Sequence, residues 1–291
     1  MTWLPPLELA GAKAVVTGAA GGMGEHIARG LARRGAHVVA ADVRADLLED
    51  VCETIRQESP GVEVVSYAVD LSDVAATDDF IDWIRVEHSD IRILINNAGV
   101  ALGGRVTEVS REDIDWLLTV NLLTPVRTTH ALLPLLLDNG AAHGGHAHIV
   151  TMSSLFGLVG PPGQAAYSTS KFGLRGFSEV LRHELADERA PCGITQVHPG
   201  GIRTDIANHA RVGAGTDPDE EREGREQFQK LLRFPADKAA ELIIKAMIER
   251  NPRLLIGADA KALAGISRVL PKRYWSLMGR VANLGAPRGQ S

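Results

Sequence analysis

Apolar runs of strand length alternate with longer segments of helical period along most of this chain, and no other feature restricts its fold as tightly. The first cycles read KAVVTG, MGEHIARGLARRG, HVVAAD, RADLLEDVCETIRQ and VEVVSYAVD. The pattern continues through DDFIDWIRVEHS, IRILINNAG, a long helical stretch from Arg111 to Leu137, HAHIVTMSS, a helix carrying Tyr167, GITQVHPG, and AAELIIKAMIER before RLLIG. Strand followed by helix, repeated, predicts βαβ units. Strands that are almost continuous in Val, Ile and Leu are buried on both faces, so the expected fold is α/β: a doubly wound parallel sheet in three α/β/α layers. A chain of 291 residues can bury one full core. No internal repeat or linker breaks the alternation, and residues 1–257 are expected to form a single domain.

Two segments depart from the pattern. Between Arg203 and Phe234 the chain turns charged and Gly-rich, RVGAGTDPDEEREGREQFQKLLRF, which suggests a surface lid over about residues 203–235. Residues 258–291 form an amphipathic, basic, aromatic-bearing extension, expected to pack on its own fold or on a partner subunit.

The formal net charge of −5 offers no basic field to gather nucleic acid. Only Cys52 and Cys192 are present, far apart, as suits a reducing compartment. The start, MTWLPPLELAGAKAVV, has no basic segment leading into an apolar run and a cleavage site, and ALLPLLL is too short to span a bilayer. A cytoplasmic protein without a membrane span is expected.

The segment VVTGAAGGMGEHIARGL places Gly18, Gly22 and Gly24 between the first strand and the first helix. There the backbone must turn sharply and offer N–H groups at a helix N-terminus, where the dipole favours a pyrophosphate. Asp42 ends the second strand, at the distance where a carboxylate accepts hydrogen bonds from ribose hydroxyls and repels a 2'-phosphate. NAD is therefore the expected cofactor. Arg44 stands two residues on and could instead receive a 2'-phosphate, which keeps NADP as the alternative. Further along, AAYSTSKFG sets Tyr167 and Lys171 four residues apart, on one helix face. An ordinary tyrosine with a pKa of roughly 10 is a poor base at neutral pH, and an ammonium within reach favours its phenolate.

TGAAGGMG, NNAG at Asn96 to Gly99, Val120 with Asn121, Ser153 with Ser154, and Y-x-x-x-K follow one another in that order. With them the sequence closely resembles the short-chain dehydrogenase/reductase family, from about Leu7 to Gly257. The spacing T-G-x-x-x-G-x-G is similar to that of the family's single-domain branch. The resemblance implies a Rossmann fold and hydride transfer between a nicotinamide cofactor and a secondary alcohol or ketone. Tyr167 would be the general acid/base, Lys171 would lower its pKa and bind the nicotinamide ribose, Ser154 would hydrogen-bond the substrate oxygen, and Asn121 would hold a relay water. Gly18, Gly22 and Gly24 would wrap the pyrophosphate, Asp42 would hold the adenosine ribose, and Thr17 and Met23 would also belong to the cofactor-binding set. Asp70 and Leu71 would flank the adenine, and Asn97, Ala98 and Gly99 would line the cofactor. Pro199, Gly200, Ile202 and Thr204 would reach the nicotinamide carboxamide. A homotetramer or dimer built on the long helices is implied as well.

One stretch departs from the family's usual pattern. DNGAAHGGHAH reads as a lengthened loop carrying His143, His146 and His148. Imidazoles at that spacing could ligate zinc or nickel, but only Asp138 lies among them as a further ligand type, and the implied chemistry needs no metal. The apolar segment LFGLVGPPGQ after Ser154 would form the substrate wall, together with the charged segment beyond Thr204. A medium or bulky secondary alcohol with an apolar body, such as a steroid-like, terpenoid or acyl-derived compound, would suit it. An NADP-dependent carbonyl or 3-ketoacyl reductase is the alternative enzyme. A non-catalytic nucleotide-binding scaffold is the alternative from another class, but such a scaffold would be expected to have lost part of the set Asn121, Ser154, Tyr167 and Lys171.

Overall fold

The computed structural model describes residues 3–276, apart from the side chains at 218, 220, 221, 227 and 228. The first half of the chain runs β1 (Lys13–Thr17), α1 (Gly22–Ala32), β2 (His37–Asp42), α2 (Ala45–Glu58), β3 (Val64–Ala68), α3 (Val74–Glu87) and β4 (Ile91–Asn96). A two-residue β5 (Leu102–Gly103) follows, then α4 (Arg111–Leu118), a single π-helical turn (Thr119–Leu123), α5 (Thr124–Ala142), β6 (Ala147–Met152) and α6 (Ala165–Asp187). The remainder comprises β7 (Cys192–Pro199), β8 (Ile202–Arg203), β9 (Arg211–Val212), α7 (Pro218–Leu231), β10 (Phe234–Pro235), α8 (Ala236–Ile248), β11 (Arg253–Ile256) and α9 (Ala258–Val269).

Seven strands form one parallel sheet in the order β3-β2-β1-β4-β6-β7-β11. The two-residue period of each strand sends alternate side chains to opposite faces. Ala14 and Val16, Val38 and Ala40, and Val150 and Met152 join one core with Ile27, Leu31, Leu48, Ile55, Ile243 and Ile244 from α1, α2 and α8. Val15, Val39, Leu94 and Ile149 join the other with Phe80, Ile84, Leu132, Leu136, Leu181 and Leu185 from α3, α5 and α6. Each such Leu, Ile or Phe contributes about 1.5–3 kcal/mol by leaving water, so the two-sided sheet is the main stabilising element. The strand order reverses between β1 and β4, and in open α/β sheets ligands bind beside the carboxyl ends at such a reversal.

Three local features differ from the sequence reading. The helix expected from Arg111 to Leu137 is two helices joined by the π turn, and it continues to Ala142. Asp138 to Ala142 are therefore helical, leaving a much shorter loop before β6 than the lengthened one expected. The segment after Arg203 contains two short strands that tie it down: β9 pairs with β5, and β10 pairs with β8. Of the extension, α9 and the turn up to residue 276 are described, while 277–291 lie outside the described residues. Among the described residues, no helix is long and apolar enough to cross a membrane.

Candidate active site

Because the sheet is parallel, β1, β2, β4, β6 and β7 all deliver their last residues to one edge. Thr17, Asp42, Asn96, Met152 and Pro199 stand there, each followed by an expected site loop. The glycine loop after β1 is stitched to the loop after β4. Asn97 and Ala98 donate their backbone N–H groups to Thr17 Oγ1, both at 3.1 Å, and Asn97 Nδ2 donates to the carbonyls of Thr17 at 3.0 Å and Gly18 at 3.1 Å. Close approach requires glycine here. Gly18 has φ +68°, and a Cβ on it would lie 2.8 Å from Ala98 Cα, while a Cβ on Gly24 would lie 2.0 Å from the Gly18 carbonyl oxygen. Gly24→Ala is thus expected to lower Tm by about 2–12 °C, the cost of overpacking a closed site; calorimetry showing an unchanged Tm would contradict the steric argument. At the N-terminus of α1, Gly21 supplies no side-chain cap, so the first-turn N–H groups are not taken by a capping side chain. Met23 packs half-buried against the core behind the loop.

Asp42 is buried, and its carboxylate is shared. Oδ2 accepts from Ala20 N at 3.0 Å, in the glycine loop, and Oδ1 accepts from Arg44 N and Nε, both at 3.1 Å. The carboxylate holds the Arg44 guanidinium above its ordinary pKa range, with a smaller contribution from the charge of Asp205. On the neighbouring strand end, exposed Asp70 accepts from Ser72 N at 2.8 Å and Ser72 Oγ at 2.7 Å, and buried Leu71 accepts through its carbonyl from Thr124 Oγ1 at 2.9 Å.

The expected proton-handling residues come together at the other end of this edge. Tyr167 and Lys171 share the first turns of α6, with Lys171 Nζ 5.6 Å from the Tyr167 ring centroid. Lys171 is buried and donates to the Met152 carbonyl at 2.9 Å. Burial pulls its pKa down to about 8. Tyr167 departs from the sequence reading in direction: burial raises its pKa, while a hydrogen bond with Ser154 draws it back. Desolvation of the phenol is the larger of these two causes and sets the direction. The two adjacent serines separate clearly. Ser153 is buried and donates to the Lys171 carbonyl at 3.0 Å, whereas Ser154 is the one that meets Tyr167. The Ser154 carbonyl is in turn held by His198 Nδ1 at 3.1 Å, a contact nothing in the sequence signalled.

Asn121 lies inside the π turn, fully buried, with both ends of its amide engaged by one residue. Its Oδ1 accepts from Val100 N at 2.8 Å, and its Nδ2 donates to the Val100 carbonyl at 2.9 Å. A Cβ on Gly99 would lie 3.3 Å from Asn121 Oδ1 and 3.5 Å from Lys171 Nζ, so these three residues converge. Pro199 and Ile202 are buried, Gly200 and Thr204 partly so, and a methyl group at Gly22 would meet Thr204 Cγ2 at 3.2 Å. The loop after β7 therefore arches back to the glycine loop. Arg211 of β9 lies 3.7 Å from the Trp116 ring centroid and 3.1 Å from Asp113, fastening the following segment to α4. The three histidines do not share a loop: His143 and His146 precede β6, while His148 is a buried residue of that strand. They go to separate partners, His143 to the Asn139 carbonyl, His146 to Glu8 N, and His148 to Thr195 and Arg250.

Comparison with known proteins agrees with this architecture. The family model described as short chain dehydrogenase matches residues 12–214. The Mycobacterium tuberculosis protein named as the oxidoreductase SadH is 34% identical over 270 residues, covering 92% of this chain and 94% of that one. A short-chain dehydrogenase/reductase from Burkholderia phymatum, solved in complex with NAD, superposes with a TM-score of 0.80 at 28% identity, over 90% of this chain and 94% of that one. A metagenomic short-chain oxidoreductase solved with NADP superposes with a TM-score of 0.64 at 31% identity, over 86% and 98% of the respective chains. The chain belongs to the short-chain dehydrogenase family. It is an NAD(P)-dependent oxidoreductase with a Rossmann-like sheet.

Proposed function

We propose that this enzyme interconverts a secondary alcohol and its ketone with NAD as the preferred cofactor, and that Tyr167 exchanges the proton with the substrate oxygen. The observation that carries this reading is the meeting of Tyr167 with Ser154 and Lys171, with Asn121 converging on Lys171 at Gly99, beside a glycine cradle that leaves no room for side chains. The nicotinamide, when bound, supplies the hydride exchange. Thr17, Gly18, Gly22, Met23 and Gly24 would hold the pyrophosphate, Asp42 the adenosine ribose, Asp70 and Leu71 the adenine, and Asn97 to Gly99 with Pro199, Gly200, Ile202 and Thr204 the nicotinamide half. Ser154 would donate to the substrate oxygen as charge grows on it. Tyr167 would take the alcohol proton in oxidation and return it in reduction. Lys171, charged below pH about 8, would favour the phenolate by proximity. Asn121 would anchor the relay that passes the proton outward.

Leu155, Phe156, Leu158 and Val159 follow Ser154, and Phe156 packs edge-on against Tyr167 at 6.1 Å. An apolar wall there favours a substrate with an apolar body, and residues 203–235, held by β5, β8 and α4, would cover it as a lid. Exposed Phe172 and Val180 lie two turns apart on one face of α6, with exposed Leu123 in the π turn, and these apolar side chains suit a homo-oligomer contact. The Arg44 guanidinium beside the ribose position favours the second reading, an NADP-dependent carbonyl or 3-ketoacyl reductase. Reduced-cofactor formation across a panel of secondary alcohols, with NAD and NADP in parallel, separates the two. Turnover with NAD on apolar alcohols is expected, and turnover with NADP alone would reverse the cofactor assignment.

A further inference from the structure

The chain after Gly257 touches both loops that frame the proposed site. Asp259, the second residue of α9, accepts a hydrogen bond from Gly201 N through Oδ2 at 2.8 Å. Its carboxylate occupies a seat that only glycine leaves open: a Cβ on Gly200 would lie 2.2 Å from Oδ1, and one on Gly257 2.3 Å. An acid in the first turn of a helix ordinarily serves the dipole of its own helix. Here the carboxylate also reaches a loop 58 residues earlier in the chain. That loop is gripped from its other side as well, since Arg233 N and Phe234 N both donate to the Gly201 carbonyl at 3.0 Å. The Gly201 residue is therefore held through its N–H by α9 and through its C=O by the end of the 203–235 segment. Further along, the Tyr274 hydroxyl accepts from Gly160 N at 3.1 Å, and Tyr274 packs with Leu155 and Val159 in the loop that follows Ser154.

We propose that the segment after Gly257 is a two-point clamp on the active site, with Asp259 as a positioning residue for the Pro199–Thr204 loop and Tyr274 as a positioning residue for the substrate loop. The clamp rests on the cofactor placement proposed above. A loop that meets only the nicotinamide ring of a dinucleotide tightens binding of the whole cofactor and leaves its ADP-ribose portion, which carries both riboses and both phosphates, indifferent. Fixing that loop in advance lowers the ordering cost of binding, which is how a residue out of contact with a ligand alters its affinity.

The test compares dissociation constants of NADH and ADP-ribose, with NADPH and 2'-phospho-ADP-ribose in parallel, for the wild type, Asp259→Ala and Asp259→Asn. A charge-assisted hydrogen bond lost from the loop should weaken reduced-cofactor binding about tenfold to a hundredfold in Asp259→Ala. ADP-ribose should bind as in the wild type, and Asp259→Asn, which retains an acceptor oxygen, should recover most of the loss. Equal weakening of NADH and ADP-ribose would make Asp259 a support of the fold at large and overturn the clamp, as would unchanged NADH affinity. A wild type that binds none of the four ligands would instead overturn the cofactor placement itself. Tyr274→Phe should leave cofactor affinities in place and raise the KM of the alcohol about two- to tenfold, and an unchanged KM would overturn its role.

Discussion

Tyr167→Phe is expected to lower kcat for alcohol oxidation by about 10²–10⁴-fold, the range typical for removing a general acid/base, while leaving NADH affinity within about twofold. The substitution deletes one oxygen and keeps the ring, so the packing of Phe156 against residue 167 survives. Loss confined to kcat would mark an interaction made only while the proton moves. The pH profile gives a second, independent signature. In the proposed mechanism oxidation needs the phenolate, and burial raises the Tyr167 pKa. The rate of oxidation must therefore rise with pH on its acid side, and the rate of ketone reduction, which needs the phenol, must fall with pH. Lys171 sharpens this, because its ammonium persists below pH about 8 and favours the phenolate in that range. Lys171→Met should displace the oxidation profile to higher pH as well as lowering its plateau. In Tyr167→Phe the pH-dependent limb should vanish. Steady-state rates from pH 6 to 10 check all of this, and a Phe variant that keeps both its rate and its limb would remove Tyr167 from the chemistry.

The order and type of the elements were legible because the sheet is buried on both faces and its strands carry that burial as unbroken apolar runs. Gly18, Gly24 and Asp42 were legible for a related reason: close backbone approach and a carboxylate at a strand end impose residue types. What escaped sequence reading depends on partners distant in the chain. The segment around Asn121 is periodic enough to pass for plain helix, and the π turn becomes intelligible only once Val100 is seen to take both ends of the Asn121 amide. The resemblance pointed to Ser154 rather than its neighbour, but the task of Ser153, donating to the Lys171 carbonyl 18 residues on, had no sequence signal. The spacing of Tyr167 and Lys171 was readable, but the direction of the tyrosine shift was not, because it follows from burial that the whole fold creates. Nothing in the sequence pairs Asp259 with Gly201, 58 residues earlier, and that hydrogen bond is visible only in the fold.

Asp42→Ala is expected to reverse cofactor preference, weakening NADH about tenfold to a hundredfold and improving NADPH relative to it by a further factor of similar size. The first part follows from hydrogen bonds. A buried carboxylate accepting from the ribose diol contributes about 1.5–3 kcal/mol per charged bond, and 1.36 kcal/mol is a factor of ten. The second follows from charge, since a carboxylate at this strand end repels a 2'-phosphate and its removal frees the guanidinium that now leans on it. The contrast in exposure decides which group yields when the ribose arrives: the Asp42 side chain is 6% exposed and anchored to Ala20 N, while that of Arg44 is 38% exposed. Arg44 is therefore expected to swing outward, its lost contact with Asp42 replaced by water at little cost for a partly exposed pair. Arg44→Ala is accordingly expected to leave NADH affinity unchanged or slightly tighter and to weaken NADPH in the Asp42→Ala background. The Ala20 N–H, left without its acceptor, should make Asp42→Ala less stable than the wild type, so affinities belong beside a thermal scan. Fluorescence titration of both reduced cofactors against the wild type, the two single variants and the double variant completes the cycle. A wild type that prefers NADPH, and loses that preference on Arg44→Ala, would show that the guanidinium rather than the carboxylate governs this end of the site.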